Sequence, residues 1–449
     1  MLVTSEKTFS ADILIENGKI SRIEKPGTVS VLPDKVIDAL GMLVFPGGID
    51  PHVHMHLPTP AGFSSDDFLS GSRAALFGGT TTLIDFVTPH KGENLCKALE
   101  KRKAEAENCF TDYAFHVSPV EWRPSLPEEI RACIKSGTPS FKVYMAYKDS
   151  IGLEDEALQK VFQVVAEAGG MVTAHCELGD EIENLRNDFV KNGRTTPEYH
   201  PLSRPARLEA DAIKKALGFA RQADCPFYIV HVSAAASLVP IRQAQKRGSQ
   251  RVFAESCPHY LLLDDSRYQG NFQQTAPFVL SPPLRKKADN RALWEALADG
   301  TIQSMGTDHC PFTMEQKRNG LHDFRKIANG AGSVEHRLTL LYTYGVLQNR
   351  ISLNRFVELT STQPAKIFGL YPKKGTLLPG SDADIVIWNP EKEQIISTSS
   401  HHMHCDTDIY DGFKIKGAPE YVIARGKIAV ERDNWTGSLS SGRFLKRKI

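Results

Sequence analysis

Eight short apolar runs recur through the middle of the chain, at residues 43–53, 80–87, 113–117, 140–145, 171–175, 227–232, 252–256 and 302–307. Between them lie stretches of helical period. In 153–169, Leu158, Val161, Phe162, Val165 and Ala168 share one face. Another, 65–77, opens on Ser65-Asp66-Asp67, a cap with acids in the first turn, and closes on Gly78-Gly79. Strands that alternate with helices predict a parallel sheet, and eight of them favour a closed (β/α)8 barrel of the TIM type. An open doubly wound sheet would want a glycine-rich phosphate loop after its first strand, and the sequence has none there.

The two ends read differently. Residues 12–20 (DILIENGKI) carry an apolar run into Asn17-Gly18, a hairpin signal. Residues 384–388 (DIVIW) and 421–424, the latter followed by Arg425-Gly426-Lys427, are strand-turn patterns as well. A chain of 449 residues exceeds the ~250–300 residues that one core usually serves. We therefore expect a small β-sandwich domain built from both ends, 1–46 and 372–449, beside a catalytic barrel over 47–371. Met1–Thr4 leave little for a further strand, so that domain is expected to lack an edge strand.

A formal net charge of +1 points to no nucleic-acid or membrane surface, and the basic end at 443–448 is expected to be solvated. The sequence contains no apolar run of the ~18 residues a membrane helix needs, and its first residues lack the apolar stretch of a signal peptide. Eight cysteines are scattered without a CxxC pair, which reads as reduced thiols in a cytoplasmic protein.

Side chains suited to chemistry collect at the ends of the apolar runs, where barrel enzymes keep their active sites. His52 and His54 alternate on one strand and so face one side, as two ligands of one metal would. Alone, the pair could equally be two rim histidines. Lys142 interrupts an apolar strand, where burial depresses an amine's pKa and exposes its lone pair; such an amine can add CO2 to give an anionic carbamate. Alone, it could also reach solvent or an acid. His175 and His231 each cap a run, and Asp308 ends the last one, where it could instead cap a helix. Taken together, six such groups in order along one barrel predict a site for Zn2+ or a similar ion.

The pattern resembles the binuclear-metal amidohydrolase superfamily, and within it the dihydropyrimidinase/hydantoinase group. Nearly the whole chain takes part, through FPGGIDPHVH (45–54), FGGTTTLIDF (77–86), SFKVYMAYKD (140–149), TAHCE (173–177), IVHVS (229–233), ESCPHYLLL (255–263), LSPPLR (280–285), GTDHCPF (306–312), DFRKIANG (323–330) and FGLYPKKGTLLPG (368–380). The resemblance implies two divalent ions. His52, His54 and Asp308 would bind the more buried one, and His175 and His231 the more exposed one. Carboxylated Lys142 would bridge them. Tyr147 would contact substrate, and the backbones at Ser281 and Asn329 would hold the ring's amide edge.

The reaction implied is opening of a cyclic ureide or imide to an N-carbamoyl amino acid. A hydroxide between the ions attacks, Tyr147 steadies the oxyanion, and Asp308 moves the proton to the departing nitrogen. An allantoinase-like hydrolase is the alternative, and a non-catalytic scaffold the alternative of another class. Dihydroorotases carry an arginine where His56 stands, which argues against an acidic substrate. Residues 57–65, near the pocket, depart from the family pattern, as do Leu178-Gly179, His259 and His336. Phe63 is a candidate for an apolar lid, as is Phe68 unless it packs the helix from Ser65, its better reading; His309 could take part in proton transfer or serve a structural role. Residues 441–447 resemble a tail used in family oligomers, so a homotetramer is expected, or failing that a homodimer.

Overall fold

The computed structural model describes residues 1–437 and 441–449. The central strands form one eight-stranded sheet in chain order, with every neighbouring pair parallel. They are Gly48–Val53, Thr80–Val87, Asp112–Val117, Ser140–Tyr144, Met171–His175, Phe227–Ile229, Val252–Ser256 and Ser304–Met305. Helices cross over between them, as the periodicity predicts. Asp155–Glu167 buries Leu158, Val161, Phe162, Val164 and Val165 on one face, each contributing roughly 1.5–3 kcal/mol of transfer free energy.

The seam between the first and last barrel strands is held by Arg337, whose guanidinium is fully buried. Its Nη1 donates to the carbonyls of Ile49 (2.7 Å) and Met305 (2.6 Å), and Nη2 to Thr80 Oγ1 (3.0 Å). A bridge between Val53 and His309 continues the closure.

Several elements differ from the sequence expectation. The run at 43–53 is two strands. Leu43–Pro46 joins the terminal sheet, and Gly48–Val53 starts the barrel. Gly47 makes the passage: its N–H donates to Asp384 O (2.7 Å), and a Cβ there would lie 2.2 Å from Thr81 Oγ1. The last run shortens to Ser304–Met305, because the chain leaves the sheet to bring Asp308 inward. The helix expected from Ser65 begins at Phe68 with Asp67 as its cap; Ser70 N–H donates to the Asp67 carboxylate. Asp66 is instead buried, against His309.

The terminal sheet has seven strands, ordered Asn434–Trp435, Lys427–Glu431, Lys414–Ala424, Ile385–Ile395, Leu43–Pro46, Leu2–Val3 and Thr8–Phe9. The hairpin Asp12–Glu16/Lys19–Glu24 covers it. Ile13, Ile15, Ile20 and Ile23 pack on Leu2, Val44, Ile385, Ile387 and Ile423, which makes a two-layer sandwich. Asn17 and Gly18 both take left-handed φ (53° and 78°), as a two-residue hairpin turn requires. The missing edge strand is a correction: Leu2–Val3 is fully buried between Leu43–Pro46 and Thr8–Phe9.

The basic end is not simply solvated either. Its residues alternate outward and inward, so Lys446 is exposed while Leu445 and Arg447 are buried. Leu445 enters an apolar cluster with Ile49, Ile84, Ala114 and Met171, and Arg447 donates to Phe115 O and to Ser140 Oγ (2.7 Å). Among the described residues no helix is long and apolar enough to cross a membrane.

Arg337→Met should leave the carbonyls of Ile49 and Met305 buried and unpaired, a loss on the order of 3 kcal/mol. A thermal midpoint several degrees below wild type is expected by calorimetry, and an unchanged midpoint would show that the seam does not depend on this side chain.

Candidate metal centre

The eighth barrel strand is drawn to the first by Asp50. Its carboxylate accepts from the N–H groups of His52 (3.1 Å) and Thr307 (3.2 Å) and from Thr307 Oγ1 (2.7 Å). Asp308, the next residue, is thereby carried to the first strand. Its Oδ1 lies 3.0 Å from His52 Nε2 and 3.1 Å from His54 Nε2. His52 is held by its other nitrogen, since Nδ1 faces Glu255 Oε1 at 2.5 Å. Glu255 also accepts from His231 N–H (3.1 Å) and from the Tyr228 hydroxyl (2.8 Å).

His175 and His231 form the other half. His175 Nε2 faces Glu177 Oε2 at 2.8 Å, and His175 Nδ1 lies 3.0 Å from His231 Nε2. With Nε2 donating to Glu177, Nδ1 presents a lone pair. Glu177 is gripped by Arg204, both being buried. Burial works against the Glu177 anion, but Arg204 holds its pKa down at about 2. The Arg204 guanidinium also stands 5.4 Å from the Tyr147 ring, whose centroid is 5.3 Å from that of His175.

Lys142 is 1 % exposed, with Nζ 4.8 Å from the Phe86 ring centre and 5.1 Å from that of Tyr144. No ion pair to a carboxylate forms at its amine among the described residues. Burial lowers its pKa to about 8, which makes the unprotonated amine, with its lone pair, easier to reach. Burial also keeps His54, His175 and His231 below the ordinary imidazole value. It acts the same way on His52, but Glu255 and Asp308 outweigh it there and raise the pKa.

Left-handed backbone occurs at His56, Tyr147, His231 and Asp308 (φ 48°, 63°, 39° and 50°). Each costs on the order of 1–3 kcal/mol in a non-glycine residue, and such strain gathers at working sites.

Five of the expected ligand positions, His52, His54, His175, His231 and Asp308, are thus at or just beyond the carboxyl ends of barrel strands, and Lys142 lies within the fourth strand. Ser281 and Asn329 come together as well: Ser281 Oγ donates to Asn329 Oδ1 at 2.8 Å. Asn329 leads into Ala331, whose carbonyl accepts from Cys310 N–H (3.0 Å), beside Asp308. His309 is a strut. Nε2 faces Asp66 at 3.0 Å and Nδ1 accepts from Ser333 and Val334 N–H, so neither nitrogen is free to move a proton. His336 pairs with Asp408 (2.8 Å), and burial pushes His259 down to about 4. Phe68 is buried against Phe115 and forms no lid. Phe63, half exposed, stacks on His56 at 4.0 Å in the hairpin Pro58–Thr59/Gly62–Phe63. Asp50, Glu255 and Arg204 escape the sequence reading. Glu255 and Asp50 carry the same signal as Lys142, a charge inside an apolar run.

Residues 43–429 match the amidohydrolase family. The chain belongs to the amidohydrolase family. Among its relatives, a D-hydantoinase of Geobacillus stearothermophilus is 41 % identical over 99 % of this chain and 95 % of its own length. A dihydropyrimidinase of Arabidopsis thaliana is 38 % identical over 97 % of this chain and 82 % of its own. The crystal structure of dihydropyrimidinase from Brevibacillus agri superposes with a TM-score of 0.97 at 39 % identity, covering 100 % of this chain and 97 % of that one. Amidohydrolases are built around a two-metal centre, and the donors here fit one. The ligand atoms of His52, His54 and Asp308 all lie within 4.8 Å of one another, and imidazole with carboxylate suits a divalent first-row ion.

Glu255→Ala frees His52 to turn, and should weaken divalent-metal binding about 10–100-fold. Dialysis against graded chelator followed by elemental analysis checks this. Retention equal to wild type would deny Glu255 its orienting role.

Proposed function

We propose that this amidohydrolase opens the ring amide bond of cyclic ureides and imides, 5,6-dihydropyrimidines or 5-substituted hydantoins, to give N-carbamoyl amino acids. The observation that supports this reading is the buried Lys142 amine, which forms no ion pair among the described residues and lies near enough to the imidazoles of His52, His54, His175 and His231 to act on their charge. The named relatives, hydantoinases and dihydropyrimidinases, supply the substrate class. All six ligand positions are filled, which argues against the scaffold reading, while Tyr147 and the hydantoinase and dihydropyrimidinase relatives argue against the allantoinase one.

His52, His54 and Asp308 would hold one ion and His175 and His231 the other, with Lys142 as a carbamate ligand to both. Two divalent ions, zinc by donor chemistry, would supply Lewis-acid polarisation of a carbonyl and a water of lowered pKa. The protein's part is positional. Burial opposes charge on Asp308, but His52 and His54 against its carboxylate hold the pKa well below the ordinary value. It therefore enters the reaction as an anion that can take the proton of the attacking water. As the C–O bond forms and the ring C–N bond breaks, Asp308 returns that proton to the departing nitrogen. The Tyr147 hydroxyl donates to the carbonyl oxygen as it gains charge, its loop anchored through Arg204 and Glu177. The backbones at Ser281 and Asn329 hold the amide edge of the ring.

Purified protein loaded with zinc should open hydantoin and dihydrouracil, lose turnover on chelation and regain it with metal. Asp308→Asn with bound metal should be nearly inactive, and Tyr147→Phe should lose about 10²–10³ in kcat. Near-wild-type turnover by metal-loaded Asp308→Asn would remove the proposed proton path.

We further propose a cytoplasmic homotetramer, supported by eight free thiols and by the likeness of 441–447 to the family tail. Light scattering should give four chains, and a monomer at micromolar concentration would refute the assembly.

A further inference from the structure

Nine residues beyond Asp308, the short helix Met314–Lys317 ends in a lysine that is 1 % exposed. No carboxylate pairs with Lys317 among the described residues. Its Nζ faces three backbone carbonyls: Val279 O at 3.0 Å, Ala328 O at 2.9 Å and Gly330 O at 2.8 Å. An ammonium has three N–H donors, and each finds one acceptor here. A lone buried cation is costly, and burial pushes this amine down to about 7. Three charge-assisted hydrogen bonds are what the position returns.

The acceptors belong to two loops far apart in sequence. Val279 lies two residues before Ser281, while Ala328 and Gly330 flank Asn329. Beyond Lys317, these loops are joined by Gly330 N–H to Val279 O (3.1 Å) and by the Ser281–Asn329 contact (2.8 Å). Gly330 sits at φ 144°, and a Cβ there would lie 2.3 Å from Cys310 O, so the second loop is also seated against the segment that follows Asp308. The preceding residue reaches the opposite wall, for Gln316 Nε2 donates to Phe63 O (2.7 Å) in the hairpin at 58–63. One helical turn therefore spans the ground between the ring-holding loops and that hairpin.

We propose that Lys317 is a positioning residue for substrate: its ammonium fixes the spacing of the two loops that grip the amide edge of the ring, and so sets ring recognition apart from the chemical step. This rests on the assignment of Ser281 and Asn329 to that grip. The geometry supports it in a specific way. All three acceptors are main-chain atoms of the loops themselves, and none belongs to a metal-ligand residue.

The test uses zinc-loaded enzyme with hydantoin as substrate and its ring-N-methylated forms as competing ligands. Methylation removes an N–H that the grip needs. Wild type should bind hydantoin at least about tenfold more tightly than the methylated rings. Lys317→Met should bring that ratio to within about threefold by raising KM for hydantoin, while kcat and metal content per chain stay within about threefold of wild type. Lys317→Gln, with two N–H donors in place of three, should fall between, and it carries the test if the methionine variant does not fold. A variant that keeps the full wild-type ratio, even with a lowered Tm, overturns the proposal and leaves Lys317 only a structural part. If wild type itself shows no preference against the methylated rings, the grip assigned to Ser281 and Asn329 is wrong, and the proposal falls with it.

Discussion

Lys142 stands on the fourth barrel strand with its amine between the rings of Phe86 and Tyr144, and its burial brings the pKa to about 8. An ammonium there would be poorly solvated, and among the described residues no acid forms an ion pair with it, Asp308 and Glu255 acting only from farther off. The same position would suit an amine that gives up its proton and adds CO2, the anionic carbamate proposed above. Four imidazoles and one carboxylate surround it from the first, fifth, sixth and eighth strands. Each offers a cation one donor atom, and His52 and His175 are each held by a carboxylate on the other ring nitrogen.

That backing is made of buried acids. Asp50 ties the eighth strand to the first, Glu255 aims His52 and takes the backbone of His231, and Glu177 aims His175. A carboxylate behind an imidazole fixes both its tautomer and its rotation, and so adds to the metal affinity of the ligand itself. Glu177 extends the order outward through Arg204 to the Tyr147 ring. Ligand geometry and the residue proposed to steady the oxyanion are therefore parts of one network. Left-handed backbone at His231, Asp308 and Tyr147 is the local strain this network sustains.

Much of this was legible in the sequence because it obeys simple periods. Eight apolar runs point to the barrel, and histidines at their ends mark the candidate ligands. Where the reading missed, the cause is tertiary. The run at 43–53 looks continuous, yet Gly47 divides it between two sheets, since only a residue without Cβ fits against Thr81. Two residues at the start of the chain make a buried strand because one of the strands beside them, Leu43–Pro46, comes from elsewhere in the sequence. The basic run from Arg443 to Lys448 looks like a solvated tail, and only the barrel floor explains why Leu445 and Arg447 turn inward. Arg204 and Lys317 gave no local signal, as their partners lie far off along the chain. Glu255 and Asp50 were readable by the logic applied to Lys142 and were passed over.

The central claim is that this constellation is a two-metal centre bridged by a modified lysine. Anomalous diffraction from crystals of the zinc-loaded protein, recorded on both sides of the zinc edge, tests it most directly. The account predicts two peaks, one among His52, His54 and Asp308 and one between His175 and His231, with carbamate density extending from Lys142 Nζ to both. A single peak, or an unmodified amine at Lys142 beside two bound ions, would contradict it.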